Sequence, residues 1–172
     1  MDPELFSQKN YQSKSVNALR DLHEQLLLFS FLRSEKTFVA GVCRGHQLIL
    51  STLIEDCCLI QDLSKDLGIS DHDDGTHKIE YITTAPFIDA FYHSIPELIS
   101  NSLHHQAFID LPHDGPVVVN ACDSHGIIEG TVFKNLRGMT VQFHPEKMPY
   151  VANAFARSLL QGAQSLRAHP YT

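Results

Sequence analysis

The sequence contains no apolar stretch that approaches the ~20 residues needed to cross a membrane. Its first residues, 1–4, do not resemble a signal peptide. Basic residues are few, with 13 Lys and Arg against 20 Asp and Glu, so the net charge is −7 with histidine neutral. This acidic balance argues against nucleic acid or an anionic membrane as the main partner. Internal repeats and low-complexity segments are also absent from the sequence.

Cysteine is scarce as well. The four cysteines, at positions 43, 57, 58 and 122, lack the spacing of a disulfide scaffold, which predicts a reducing, cytoplasmic setting. Hydrophobic residues make up 43% of the chain and charged residues 19%, a composition typical of a globular protein. A chain of 172 residues is long enough to bury one core, and we interpret residues 1–172 as a single domain.

The apolar periodicity predicts an α/β chain. Apolar spacings of three and four residues predict helices over 15–33, 46–55 and 150–166. Apolar or alternating runs predict strands over 37–42, 57–60, 77–83, 117–121, 127–133 and 139–143. Residues 1–12 are expected to be irregular, and 61–75 to form a solvated acidic loop. Early strands flanked by helices and a mostly β middle predict an open α/β sheet with an inserted antiparallel portion.

Residues 41–45 have the pattern G-x-C-x-G, the cysteine version of a nucleophile elbow. An apolar run precedes Cys43 and a helical pattern follows it, so Cys43 lies on a predicted strand-to-helix turn. Glycine on either side would keep side chains away from such a turn, and the helix N-terminus would favour the reactive thiolate. A buried cysteine that ends a core strand, between glycines of an ordinary loop, explains the same five residues equally well.

A second candidate group, His144-Pro145-Glu146, also follows directly on a predicted strand. On an extended backbone, positions i and i+2 point to one side, so Glu146 is placed to orient the His144 imidazole. A thiol attacks a carbonyl only with such a base nearby. Sites in open α/β sheets lie at the carboxyl ends of strands, where both Cys43 and His144 are expected. A surface His and Glu remains the commoner meaning of H-x-E alone.

Three ordered segments together resemble the class I, cysteine-triad glutamine amidotransferase family. They are residues 41–47, 101–106 and 141–146. The middle segment, N-S-x-H-H-Q, resembles the γ-glutamyl-γ-aminobutyrate hydrolase branch, which is peptidase C26-like and works without a synthetase partner. The resemblance covers nearly the whole chain, and it implies the flavodoxin-like open sheet of that family and a small γ-glutamyl substrate.

The resemblance also implies roles for individual residues. Cys43 is the nucleophile, His144 the general base and then acid, and Glu146 the orienting carboxylate. The Arg44 backbone N–H supplies an oxyanion donor, although the Arg44 side chain is at least as well explained by a structural ion pair. The expected substrate contacts are Gln47, Ser102, Leu103, His104 and His105. No cofactor is implied.

The chain departs from that family at its start. Relatives carry the first sheet strands and a Gly-Gly oxyanion loop ahead of a stretch like residues 2–6, so we expect an N-terminally truncated version of the fold. Missing strands would leave an apolar sheet edge, which invites pairing with a second copy. A truncated reading of a full hydrolase, a dimer that covers the edge and a degenerate homologue all stay open. A second departure is His125 before Gly126, where relatives usually carry Asp.

Two other functions compete with a γ-glutamyl hydrolase. One is a catalytically impaired homologue that acts as a binding or regulatory module, and the other is a glutaminase domain that serves a partner synthetase. A metal site built from the histidines at 72, 77, 104 and 105 with Asp73 and Asp74 is a weaker alternative. Adjacent histidines on a strand face opposite sides, and the chain lacks H-x-x-x-H and C-x-x-C spacing. We therefore expect no metal.

Overall fold

The computed structural model describes residues 1–55, 57–82 and 85–168. The strands are β1 Val39–Val42, β2 Gly75–Tyr81, β3 Ile99–Ser102, β4 Val117–Asp123, β5 Ile128–Phe133 and β6 Gly138–Val141. The helices are α1 Ala18–Leu32, α2 Arg44–Leu53, α3 Leu63–Leu67, α4 Pro86–Tyr92 and α5 Pro149–Ala168. Short 3-10 helices cover Pro3–Phe6, Pro96–Leu98 and Pro145–Lys147.

The strands form one open sheet in the order β1-β6-β5-β4-β2-β3. Only β1 and β6 pair in parallel, while β6, β5, β4, β2 and β3 pair in antiparallel fashion along the rest of the described sheet. β5 and β6 are buried along their whole length, as expected for strands covered on both faces. This architecture confirms the α/β prediction, including the inserted antiparallel portion.

Three segments differ from the sequence prediction. Residues 57–60 do not form a strand, because only Ile60 bridges to Ala107. The start of the chain is not irregular throughout, since Phe6 is buried and packs with its ring centroid 5.4 Å from that of Phe108. The acidic loop 61–75 contains α3 and a His72 that is only 1% exposed, so it is not a simple solvated loop. The end of the strand predicted over 77–83, residue 83, lies outside the described residues.

Helix α1 forms as predicted, but its apolar face does not become core. Leu19 is 78% exposed and Leu26 is 59% exposed, whereas Asp21 on the other face is 1% exposed. The helix packs through the face that carries Asp21 and Leu28, and no part of the chain that the structure describes covers Leu19 and Leu26. Within the same residues, no helix combines the length and apolar character needed to cross a membrane.

Candidate active site

Cys43 lies at the tight junction between β1 and α2. Its backbone adopts φ 51° and ψ −108°, a region that residues other than glycine rarely occupy. A Cβ on Gly41 would lie 2.6 Å from the Gly45 carbonyl oxygen, so only glycine fits at position 41. A Cβ on Gly45 would meet nothing within 4 Å. The predicted strand-to-helix turn at Cys43 is confirmed, but the steric requirement falls on Gly41 and not on both glycines.

The parallel pairing of β1 and β6 brings the candidate nucleophile and base to the carboxyl ends of two neighbouring strands. Val42 is in register with Val141, and the Cys43 N–H donates to the Val141 carbonyl at 2.9 Å. Cys43 comes one residue after Val42, and His144 comes three residues after Val141. Among the residues that the structure describes, no hydrogen bond joins the Cys43 sulfur to the His144 ring.

His144 and Glu146 form the second half of the site. The Nδ1 atom of His144 lies 2.6 Å from Oε1 of Glu146. The sequence predicted an extended backbone here, but Pro145–Lys147 forms a 3-10 helix. The tight turn still brings the carboxylate to the ring, and it leaves His144 Nε2 available to accept a proton.

Asn101 holds the backbone of His144 in place from β3. Its Oδ1 accepts from the His144 N–H at 2.9 Å, and its Nδ2 donates to the His144 carbonyl at 2.8 Å. Sequence reasoning assigned no role to Asn101, although it is the first residue of the N-S-x-H-H-Q segment. A side-chain amide has an oxygen that accepts and a nitrogen that donates, so it can pair with both the N–H and the carbonyl of one residue.

The environment of Cys43 favours the neutral thiol. Burial raises the pKa of the Cys43 thiol, and the charges of Glu146 and Glu129 raise it further. The backbone N–H of Arg44 hydrogen-bonds the sulfur and opposes this shift without reversing it. The outcome differs from the thiolate expected at a helix N-terminus, because loss of hydration outweighs the helix contribution.

Arg44 fastens the elbow to α1. Its guanidinium pairs with the carboxylates of Asp21 and Glu24, one nitrogen to each. Asp21 also accepts from the Asp2 backbone N–H at 2.9 Å. The Arg44 side chain thus forms a structural ion pair, one of the two alternatives given by the sequence. Its backbone N–H hydrogen-bonds the Cys43 sulfur.

Gln47 and His46 are interior residues beneath the elbow. Gln47 is 3% exposed, and its Nε2 donates to the Gln106 carbonyl at 3.1 Å and to Gln142 Oε1 at 3.2 Å. It therefore links α2 to the 101–106 segment. His46 is fully buried with Nδ1 2.6 Å from Thr140 Oγ1, and burial lowers its pKa to about 3.

The remaining predicted substrate contacts differ in their exposure. Ser102 is fully buried and its Oγ donates to the His72 carbonyl at 2.8 Å, while His104 is 4% exposed. Leu103 and His105 are half-buried. His105 lines a cleft of about 180 Å³ together with His72 and His104.

Sequence reasoning grouped His72, His77 and His104 with Asp73 and Asp74 as a weak metal alternative, and it missed that Glu129 is the residue around which they meet. The Glu129 carboxylate lies on β5 and is fully buried, and His77 and His104 lie 3.2 and 3.4 Å from its Oε1. The loop of His72 had been interpreted as solvated, so its histidine was not expected in the interior. Separation along the chain concealed the cluster, because its members lie on different strands and loops.

Asp123 holds the turn that carries His125. Its Oδ1 accepts from the backbone N–H groups of His125 and Ile127 at 2.9 and 2.7 Å, and its Oδ2 lies 2.9 Å from the His125 ring. Asp123 therefore closes the turn at Gly126, where φ is +80°.

Comparisons with known proteins agree with the α/β fold. The sequence profile of the family described as Peptidase C26 matches residues 1–146. A search among curated proteins found no match. A candidate GMP synthase subunit of Thermoplasma acidophilum has a similar structure, with a TM-score of 0.64, 17% identity, and coverage of 91% of this chain and 72% of its own. A glutamine amidotransferase of Thermotoga maritima gives a TM-score of 0.55, 18% identity, and coverage of 91% and 65%. The chain thus spans about two thirds of that protein's length.

Proposed function

Because the chain belongs to the peptidase C26 family, we propose that it hydrolyses γ-glutamyl amides through Cys43, His144 and Glu146. The family fits a cysteine-dependent amide hydrolase or amidotransferase, and the γ-glutamyl preference and the triad roles are the proposed part. One observation carries the proposal. A strained Cys43 and a His144 held 2.6 Å from a carboxylate follow neighbouring parallel strands.

The proposed reaction proceeds through a thioester. His144 Nε2 takes the thiol proton as Cys43 Sγ attacks the γ-carbonyl carbon of the substrate. The Arg44 N–H donates to the oxygen that becomes negative. When the C–N bond breaks, His144 gives the proton to the departing amine. Water then attacks the thioester with His144 as base, which releases glutamate and restores the thiol.

The proposal assigns the departing amine to a cleft near His144. A cleft of about 420 Å³ opens beside Asn101 and Lys147, next to the clamp that holds His144. Its wall includes Ile99, Met148 and Val151, so it suits an amine with an apolar portion. We include a small amine of this kind, such as γ-aminobutyrate, in the proposal, together with a reducing, cytoplasmic setting that keeps Cys43 as a thiol.

A catalytically impaired homologue is the second candidate. Two observations favour it, the raised pKa of Cys43 and the absence, within residues 1–55, 57–82 and 85–168, of a hydrogen bond from its sulfur to His144. Substrate binding would have to bring the ring to the sulfur for catalysis to occur. Apo sites commonly tighten in this way when substrate binds.

A hydrolysis assay tests the proposal. We expect the purified chain to release amine from γ-glutamyl-γ-aminobutyrate or γ-glutamyl-p-nitroanilide, and Cys43→Ala to abolish the release with its fold intact by circular dichroism. Cys58→Ala removes an exposed cysteine and serves as the matched control, with unchanged turnover. Turnover retained in Cys43→Ala would refute the mechanism, and no turnover in the wild-type chain would favour the impaired homologue.

A further inference from the structure

Glu129 Oε1 is the centre of a buried cluster of imidazoles. The Nε2 atoms of His77, His104 and His72 lie 3.2, 3.4 and 3.7 Å from this one oxygen. The four side chains are at most 5% exposed. Charge-assisted N–H···O bonds are shorter, about 2.7–2.9 Å. The three nitrogens therefore surround the oxygen without any of them making a strong hydrogen bond to it.

The hydrogen bonds on the far side of two rings fix which nitrogen carries hydrogen. His72 Nδ1 lies 2.9 Å from Asp71 Oδ1, and His104 Nδ1 lies 3.1 Å from the Gln106 carbonyl oxygen. A carboxylate and a carbonyl can only accept, so both rings carry hydrogen on Nδ1. In the neutral rings, the Nε2 lone pairs then face the lone pairs of Glu129. Within the described part of the chain, neither Nε2 atom has another hydrogen-bond partner, and neither carboxylate oxygen of Glu129 has one.

Lone pairs that face one another in this way need a positive charge between them. The Nε2 atoms of His72 and His104 and both oxygens of Glu129 are buried here without a hydrogen-bond partner in the described part of the chain. Two further oxygens border the same space, since Asp123 Oδ2 lies 3.4 Å from His72 Nε2 and Ser100 Oγ lies 3.2 Å from His77 Nε2. A cation bound to the Nε2 atoms and the Glu129 carboxylate satisfies them together.

We propose that His72, His77, His104 and Glu129 bind a divalent transition-metal ion, for which Zn²⁺ is the best fit. One ligand atom from each of His72, His77 and Glu129 lies within 4.8 Å of the others, and His104 Nε2 lies 3.4 Å from the shared oxygen. A tetrahedral zinc site with bonds of about 2.0–2.2 Å places its ligand atoms about 3.4 Å apart. The three nitrogen-to-oxygen separations, 3.2, 3.4 and 3.7 Å, are close to that edge length.

The surroundings of the cluster resemble those of a metal site. Histidine ligands commonly donate their second ring N–H to a carboxylate or a backbone carbonyl, as His72 does to Asp71 and His104 to Gln106. The cleft of about 180 Å³ beside His72 and His104 is also lined by Asp62 and Asp73. Lys14 and Lys65 line the same cleft and Lys65 pairs with Asp62, so the cleft gives access to the cluster without adding a net negative charge.

The proposed ion has a structural role, because the four ligands leave no open position for a substrate. His72 comes from the loop before β2, His77 from β2, His104 from the loop after β3, and Glu129 from β5. The ion would therefore link β2 and the loops beside β2 and β3 to β5 of the same sheet. Ser102 and Leu103, expected to line the glutamyl site, lie on β3 and directly after it. The proposal does not depend on the γ-glutamyl activity.

Metal titration of the full-length chain tests the site. We expect chelator-treated protein to bind one equivalent of Zn²⁺ by calorimetry, with a rise in melting temperature. Co²⁺ should give visible bands of a tetrahedral site with nitrogen and oxygen ligands, without thiolate charge-transfer bands. Glu129→Gln and His72→Gln should weaken binding at least tenfold, whereas His113→Gln, which removes an exposed histidine, should bind as the wild type does. Affinity should fall in acid, because protonated imidazole cannot bind metal.

Three results would overturn the proposal. They are a wild-type chain that binds no Zn²⁺, equal affinity in Glu129→Gln and His72→Gln, and thiolate bands in the Co²⁺ spectrum, which would place the ion on cysteine. If a variant does not fold by circular dichroism, the Co²⁺ spectrum of the wild-type chain decides alone, and an octahedral spectrum also counts against the site. None of these measurements uses γ-glutamyl turnover, so the two proposals fail separately.

Discussion

Asn101 and His144 form a two-sided backbone clamp, in which the Asn101 amide accepts from the His144 N–H at 2.9 Å and donates to the His144 carbonyl at 2.8 Å. Glu146 fixes the ring of the same histidine at 2.6 Å. Asn101 thus fixes the backbone of His144, and Glu146 fixes its imidazole ring. β3 and β1 are the two outer strands of the sheet. The clamp therefore joins the inserted antiparallel portion to the candidate site that follows β1 and β6.

The clamp predicts that Asn101→Ala lowers kcat for γ-glutamyl hydrolysis by about 10- to 100-fold, because small misplacement of a catalytic base is costly. KM should change little, since the change displaces His144 and not the substrate. Steady-state kinetics measure both constants. Asn135→Ala, which removes an exposed asparagine whose side chain accepts from the Arg137 N–H, should match the wild type. Loss of melting temperature without loss of kcat would show that Asn101 is only structural.

The raised pKa of Cys43 predicts slow modification of the resting thiol. At neutral pH, iodoacetamide should alkylate Cys43 more slowly than the exposed Cys58, and the Cys43 rate should increase steeply at alkaline pH. Peptide mass spectrometry gives the rate at each cysteine. Faster alkylation of Cys43 than of Cys58 at neutral pH would instead support the thiolate expected from the sequence.

The buried His46 predicts acid sensitivity. Burial lowers its pKa to about 3, with Glu129 opposing the shift and His104 adding to it, so the folded state excludes a proton that the unfolded state binds below about pH 6.5. Stability is complete above pH 6.5 and falls as the pH drops toward 3, by on the order of 4 kcal/mol. His46→Asn retains a polar partner for Thr140 but does not titrate there. Urea unfolding from pH 7 to 3 should show a shallower loss in that variant, and parallel curves would contradict this reasoning.

The exposed face of α1 and the edge strand β1 predict self-association. Leu26 and Phe29 are 59% and 49% exposed, and β1 has one neighbour, β6, in the described sheet. We expect a second copy to cover this surface, because an apolar face beside an unpaired strand edge favours pairing. Sedimentation velocity should detect dimers or larger species.

A charge on α1 provides the variant for that experiment. Leu26→Glu should shift the chain toward monomer, while Leu160→Glu, at a leucine of α5 with 62% exposure, should not. A wild-type chain that sediments only as monomer at micromolar concentration would show that the surface stays open.

Local patterns predicted most of the helices and strands, because their information lies within a few residues. The G-x-C-x-G and H-P-E patterns identified the elbow and its histidine, and Val117–Asp123 and Gly138–Val141 follow from apolar runs. Burial was predicted less well. The periodic leucines of α1 indicated a core face, but a hydrophobic pattern cannot tell whether anything packs against it.

The sequence by itself determined the family resemblance, the α/β class and the candidates for nucleophile, base and orienting carboxylate. These depend on residue type and short spacing, which the chain carries directly. Only the tertiary structure decided that Asn101 clamps His144, that Arg44 is held by Asp21, and that His72 and Glu129 meet in the interior. Such contacts join residues that are far apart along the chain, and sheet order and burial set their distances and protonation.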